Sequence, residues 1–258
     1  MLLVSLWTKI KKMNNNAYKN LSRYYQSIIL DDKYQAFTDY ILALVNKNVK
    51  TKRGIDVGCG TGIFTRKLKK AGYDVVGVDL SNEMIMVADE ETARQNLRIN
   101  YQIQDVKNLK TFEKVGFITA VNDVFNYLES KHLQKAFSAV SKCLEKGGAF
   151  IFDISTEYKL EKILGENLFG DDGEDLSYIW VSEYNKESKT LDMNLSFFEK
   201  EGDLYRRFDE NQTQYAHSIL DIKSALELAG FNVISVLDDI GNQLTETTER
   251  AVFIAVKK

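Results

Sequence analysis

Nine residues, Gly54-Ile-Asp-Val-Gly-Cys-Gly-Thr-Gly62, carry the densest chemical signal in the chain. An apolar run leads into a turn with glycine at 58, 60 and 62, and a helix-like stretch, Phe64-Thr-Arg-Lys-Leu-Lys-Lys, follows at once. Glycine at every second place lets the backbone turn tightly and lets a ligand approach where a Cβ would clash. The next apolar run, Val75-Val-Gly-Val-Asp79, ends in an acid. This is the layout of a nucleoside-binding α/β site. In a dinucleotide fingerprint, Gly58 and Gly60 would be followed by a glycine at position 63, which is Ile here; the third glycine is Gly62. The spacing disfavours a pyrophosphate seated on a helix and favours an adenosine-bearing ligand without phosphates.

Asp56-Val-Gly-Cys-Gly-Thr-Gly62 followed by Asp79 resembles the class I S-adenosylmethionine-dependent methyltransferases. The resemblance runs from about Tyr18 to the C-terminus and is strongest from Gly54 to Leu128. It implies a Rossmann-like, mainly parallel seven-stranded sheet with a reversed C-terminal strand, an N-terminal helical lid and a small antiparallel β insertion. It also implies that Asp56, Gly58, Cys59, Gly60, Thr61 and Gly62 meet the methionine part of S-adenosylmethionine and that Asp79 accepts both ribose hydroxyls. Leu80 and Met84 would pack on adenine. After the third strand, Gln104, Asp105 and Val106 would complete the adenine site, with Asp105 on its amino group and the Val106 amide on a ring nitrogen. Helix-core packing competes for Met84, and a loop-capping role for Asp105.

Val121-Asn-Asp-Val-Phe-Asn-Tyr-Leu128 resembles the Asp-Ser-Leu-Asn-Tyr-Leu stretch of a bacterial small-molecule subgroup, with Val124 and Phe125 replacing Ser and Leu. By that likeness Asn122 and Asp123 face the methionine end of the cofactor or the acceptor, and Asn126 and Tyr127 line the cleft. Asp123 is the candidate general base or ammonium binder, against a role that only orders the loop. Tyr25, in Arg23-Tyr-Tyr-Gln26, matches the tyrosine of a Tyr-Asp pair that related enzymes fold over the cofactor; Gln26 replaces the Asp. Tyr178 and Trp180 are candidates for the acceptor pocket, with packing as the rival reading. His217, after Gln212-Thr-Gln-Tyr-Ala, lies near where members of that family place acceptor-site residues, but reads first as a surface or helix-capping residue.

A sulfonium methyl is already activated, so the protein must hold the donor, align the acceptor and exclude water. A base is needed only to free a protonated amine or a hydroxyl. The implied activity is methyl transfer to a small-molecule N or O acceptor, leaving S-adenosylhomocysteine. Two rivals are an RNA methyltransferase and a non-catalytic module that binds the cofactor or its product. The net charge of −3 supplies no basic stripe for nucleic acid and no electrostatic case for a membrane. Two cysteines suggest no disulfide framework, and with only two histidines they argue against a zinc site. Together these features fit a reducing, cytoplasmic setting.

The elements that must position these residues can be read from periodicity. Residues 1–15 read as an extension, the apolar Met1–Ile10 being too short to span a bilayer, and residues 16–258 as one domain. Two helices are expected between Asn16 and Asn46, with apolar stripes Leu21, Tyr24, Tyr25, Ile28 and Tyr34, Phe37, Ile41, Leu42, Val45. Strands are expected at Arg53–Val57, Asp74–Val78, Asn100–Gln104, Phe117–Val121 and Gly148–Asp153. They alternate with helices at Gly62–Lys70, Ser81–Leu97 and Lys131–Glu145, which implies a parallel sheet with crossover helices. Ser81 reads as an N-cap, and Lys146-Gly147-Gly148 as a helix stop. From about 175 to 215 alternating runs joined by charged turns predict three antiparallel strands. Helix Ser218–Ala229 and strands Phe231–Asp238 and Arg250–Val256 close the chain.

Overall fold

The computed structural model describes Ser22, Tyr24, residues 31–165 and residues 167–258. The first expected helix and Tyr25 therefore lie outside the described residues, as does the proposed extension at 1–15. The elements run α1 (Asp32–Asn48), β1 (Arg53–Val57), α2 (Ile63–Lys70), β2 (Asp74–Asp79), α3 (Asn82–Arg94), β3 (Asn100–Ile103), β4 (Val115–Ala120), α4 (Ser130–Cys143) and β5 (Leu144–Ser155). A π-helical turn, Lys159–Leu164, precedes β6 (Leu168–Asp172), β7 (Leu176–Asn185), β8 (Thr190–Glu201) and β9 (Leu204–Tyr215). The chain ends with α5 (Ile219–Leu228), β10 (Phe231–Leu237) and β11 (Arg250–Lys257).

Seven strands form one sheet in the order β3-β2-β1-β4-β5-β11-β10. β1 pairs parallel with β2 and β4, and β11 runs antiparallel to both β5 and β10. Central strands covered on both faces can be apolar at every position. Accordingly all six residues of β4 are buried. Its neighbours divide by pleat: Ile118, Phe150, Phe152 and Phe253 pack toward α4 and α5, while Phe117, Ile151 and Ile254 pack toward α1 and α2. Side-chain caps start three helices, the expected one at Ser81 among them. Asp31 accepts from the Tyr34 amide, Ser81 from Met84 and Ser218 from Asp221.

Two expectations about elements need correcting. The helix expected to reach Glu145 stops at Cys143, and β5 already begins at Leu144. Leu144 is fully buried and pairs with Val115, and Gly147, at φ 77°, lies where the register shifts before Phe117 pairs with Ala149. The glycines make an irregular strand rather than a helix stop. The antiparallel sheet has four strands, β6-β7-β8-β9. β6 was not expected because Leu168-Phe-Gly-Asp-Asp172 is largely exposed and has no alternation; its pairing is supplied by β7, with Phe169 opposite Trp180. The inner face of this sheet buries Tyr184, Leu191, Met193, Leu195 and Phe197 around Leu160 of the π-helical turn.

Candidate active site

The glycine turn joins β1 to α2. Gly58, Gly60 and Gly62 have φ of 64°, 52° and 77°, a region that costs any residue with a Cβ. At two of them the surroundings also forbid a side chain. A Cβ on Gly58 would come within 2.4 Å of Val124, and one on Gly62 within 2.5 Å of the Tyr101 hydroxyl. These two glycines therefore serve close protein packing as well as the turn.

Asp79, at the end of β2, receives the amides of Gly60 at 2.8 Å and Ser81 at 2.9 Å on its two carboxylate oxygens. The glycine turn and the start of α3 are thus fastened to one carboxylate, which keeps lone pairs for two further donors. Burial raises its pKa while the Ser81, Gly60 and Leu80 amides oppose the rise. Asp79 pairs in register with Ile103 at the end of β3, and Leu80 and Ile103 are exposed apolar side chains at these two strand ends. Met84 is buried in the first turn of α3.

A cavity opens beside the turn, lined by Tyr34, Asp56, Gly58, Gly60, Thr61 and Asn122. The Thr61 hydroxyl is buried there without a hydrogen-bond partner, an opening for a polar group of a ligand. Cys59 also lines it; its thiol is buried and pushed well above the usual range, first by desolvation and then by Asp79 and Asp56. Asp56 is engaged within the protein rather than free for a ligand. One oxygen accepts from Thr65 and the other from Thr119, each at 2.7 Å, which ties β1 to α2 and β4. Burial lifts its carboxyl to about 6.

Gln104 braces a loop: its amide bonds Gln102, the Lys110 carbonyl and the Lys110 amide. Asp105 caps the short 3₁₀ turn Val106–Asn108 through the Lys107 amide and pairs with the Lys107 side chain at 3.3 Å. The capping role weighed for Asp105 is therefore real, and Val106 is buried beside it.

After β4, Asn122 and Asp123 both have positive φ, 73° and 68°. Asp153 holds this turn, accepting the amides of Asn122 at 2.7 Å and Asp123 at 3.2 Å. Arg250, the first residue of β11, bonds both carboxylates, reaching Asp123 at 2.9 Å, and lies 4.6 Å from the centre of the Phe37 ring. Burial would raise Asp123, but the charges of Arg250 and Lys159 hold it below the usual carboxylate range. Paired with Arg250 and held ionised, Asp123 is a poor general base, which leaves the ammonium-binding and loop-ordering roles weighed for it. Arg250 and Asp153 were missed because nothing local marks them; they meet Asp123 only when β11 inserts beside β5.

Asn126 also departs from expectation. Its side chain bonds the Ser155 and Tyr215 carbonyls and the Ser155 amide, all near 3 Å, so it bolts the end of β5 to the end of β9 instead of facing a cleft. The Tyr127 hydroxyl donates to Gln212 on the inner face of the antiparallel sheet. Tyr178 and Trp180 stand on that same face, and the buried Trp180 Nε1 has no partner. His217 is neither superficial nor a cap: it is buried between the Phe125 carbonyl and the Ser130 hydroxyl, and burial lowers its pKa. Tyr34, read only as part of an apolar stripe, lines the cavity. Tyr24 bonds Glu199 and stacks on Phe208 of the antiparallel sheet.

Residues 55–148 match the methyltransferase domain family. A methyltransferase of Clostridium acetobutylicum ATCC 824 that depends on S-adenosylmethionine has the same fold, with a TM-score of 0.83 and 32% identity over 93% of this chain and 98% of that one. The chain belongs to the class I S-adenosylmethionine-dependent methyltransferases. A protein of Geobacillus sp. (strain WCH70) with a provisional methyltransferase name is 30% identical over 245 residues, 93% of this chain and 99% of that protein. A sugar N-methyltransferase from Streptoalloteichus shares the fold at a TM-score of 0.74 and 19% identity, covering 91% of each chain. The residues present fit S-adenosylmethionine: the left-handed Gly58 and Gly60 and the unpartnered Thr61 hydroxyl line one cavity, and Asp79 is fastened to that turn through the Gly60 amide. Among the described residues no cluster could hold a metal ion and no helix is long and apolar enough to cross a membrane.

Proposed function

We propose that this methyltransferase modifies nitrogen or oxygen on a small molecule, in the cytoplasm. The observation that carries this reading is the four-stranded antiparallel sheet facing the end of β5, with Tyr178, Trp180 and Phe208 on its inner side. Such a cover would suit a compact acceptor better than a folded RNA. The overall charge of −3 also gives no electrostatic footprint for nucleic acid.

When bound, S-adenosylmethionine supplies an activated methyl group. Asp79 would accept the ribose hydroxyls, with Leu80, Met84, Asp105 and Val106 around the adenine. Gly58, Cys59, Gly60, Thr61, Gly62, Tyr34 and Asn122 would enclose the methionine portion. Asp123, fixed by Arg250, would shape the turn beside the acceptor, and Tyr127 with the cover aromatics would exclude water.

Two measurements test this. Titration calorimetry with S-adenosylhomocysteine should show Asp79→Ala binding about 1–3 kcal/mol more weakly, the scale of charged hydrogen bonds; unchanged affinity would sink the ribose assignment. Incubation with methyl-labelled cofactor and a cell extract should put label into the small-molecule fraction. Label found only in RNA or protein overturns the small-molecule reading.

A further inference from the structure

Resting on the cofactor assignment above, we propose that the hydroxyls of Tyr34 and Thr61 take the α-carboxylate of S-adenosylmethionine at the open N-terminus of α2. Ile63 and Phe64, the first two residues of that helix, line the same cavity as Tyr34 and Thr61. The first helix-type bond runs from the Arg66 amide to the Gly62 carbonyl, so the amides of Ile63, Phe64 and Thr65 precede the ladder. No side chain caps this end. Gly62 stands at the capping position in a left-handed conformation, and a Cβ there would meet the Tyr101 hydroxyl and Arg66. A residue with its own capping oxygen is thus kept out, and the helix start is left to an acceptor from elsewhere.

The groups around this opening are donors. The Thr61 hydroxyl lines the cavity wall, buried and without a hydrogen-bond partner, so its proton is available to a ligand. Tyr34 enters from α1, where Asp31 accepts its amide at 2.7 Å and fixes the first turn. Phe37, one turn later, lies on Arg250, so the helix that delivers Tyr34 is anchored beside the Asn122-Asp123 turn. The Tyr34 hydroxyl makes no hydrogen bond with the described residues. Burial raises its pKa, Asp56 and Asp153 add to the rise and Arg250 and Arg66 oppose it, so the phenol stays protonated and donates. Arg66 is buried with Nη1 on the Thr61 carbonyl at 2.7 Å, and no carboxylate among the described residues pairs with it. A buried cation without an anion is costly, and a carboxylate arriving beside Thr61 offsets part of that cost.

This donor set selects one end of the methionine tail. Two hydroxyls, helix amides that can only donate and a nearby guanidinium suit an anion. The sulfonium and the α-ammonium are cations and gain nothing from them. Asp56 lines the same cavity, and a carboxyl lifted to about 6 is largely ionised at neutral pH, which favours the ammonium on the same α-carbon.

Titration calorimetry with S-adenosylmethionine and with its decarboxylated form isolates the carboxylate, because the two ligands share nucleoside, sulfonium and ammonium. The wild-type protein should prefer S-adenosylmethionine by on the order of 10²-fold, and Tyr34→Phe and Thr61→Val should each weaken it about tenfold while leaving the decarboxylated ligand within about twofold. Thr61→Ser, which keeps the hydroxyl, should bind as the wild type does. Equal weakening of both ligands, or of neither, overturns the proposal and leaves the cofactor assignment standing. A wild-type protein with no preference for the carboxylate also overturns the proposal, whatever the variants do. A wild-type protein that binds neither ligand overturns the cofactor assignment and the proposal together.

Discussion

Asp56 is the residue whose environment differs most from its apparent task. Its carboxyl is fully buried and lifted to about 6, even with Thr65 and Thr119 donating to it. A carboxyl whose pKa is higher in the folded than in the unfolded chain stabilises the fold only while protonated. Its contribution is complete below about pH 4 and is lost as pH rises through about 6. The difference in unfolding free energy, wild type minus Asp56→Asn, should therefore fall with rising pH by up to about 3 kcal/mol. Urea unfolding of both proteins across this range measures it, and a flat difference refutes the assignment. Gly58 makes a second demand at this scale. Gly58→Ala should cost about 2–5 kcal/mol, from a left-handed φ and a clash with Val124. In Gly58→Ala/Val124→Ala the clash is relieved but the φ is not, so unfolding should show a smaller loss than the two single variants summed.

At the scale of elements, periodicity and caps located the α/β frame well. Arg53–Val57 is a strand, and Asp31, Ser81 and Ser218 cap the helices they precede. The misses occurred where an element depends on a distant partner. β6 has no pattern of its own and exists because β7 offers it an edge. Leu144 is a strand residue because Val115 lies beside it, although four residues of charge and glycine follow. Asn126 acts at this scale too, since it fastens the antiparallel sheet to the end of β5 through three backbone groups. Asn126→Ala leaves those groups without that partner in a buried place and should cost about 3 kcal/mol. Hydrogen exchange should then show the strand ends at Ser155 and Tyr215 opening more readily than the rest of the sheet.

Across the whole molecule, Arg250 joins parts of the chain far apart in sequence. It brings together Asp123, which follows β4, Asp153 of β5 and Phe37 of α1. Removing the cation alone strands two buried carboxylates, so Arg250→Met should lower stability by about 3–5 kcal/mol. Arg250→Met/Asp123→Asn/Asp153→Asn should lose less, because no uncompensated charge remains. Equal losses in denaturant melts would mean that the cluster contributes only packing. The sequence by itself determined the methyl donor and the frame that holds it. Gly58, Gly60, Gly62 and Asp79 lie close along the chain, and their backbone requirements are local. Only the tertiary structure decided how Asp123 and Asn126 are used and which side chains line the cavity beside the glycine turn. Those outcomes depend on side chains converging from β4, β5, β9 and β11, and no short-range pattern encodes where strands so far apart in sequence will meet.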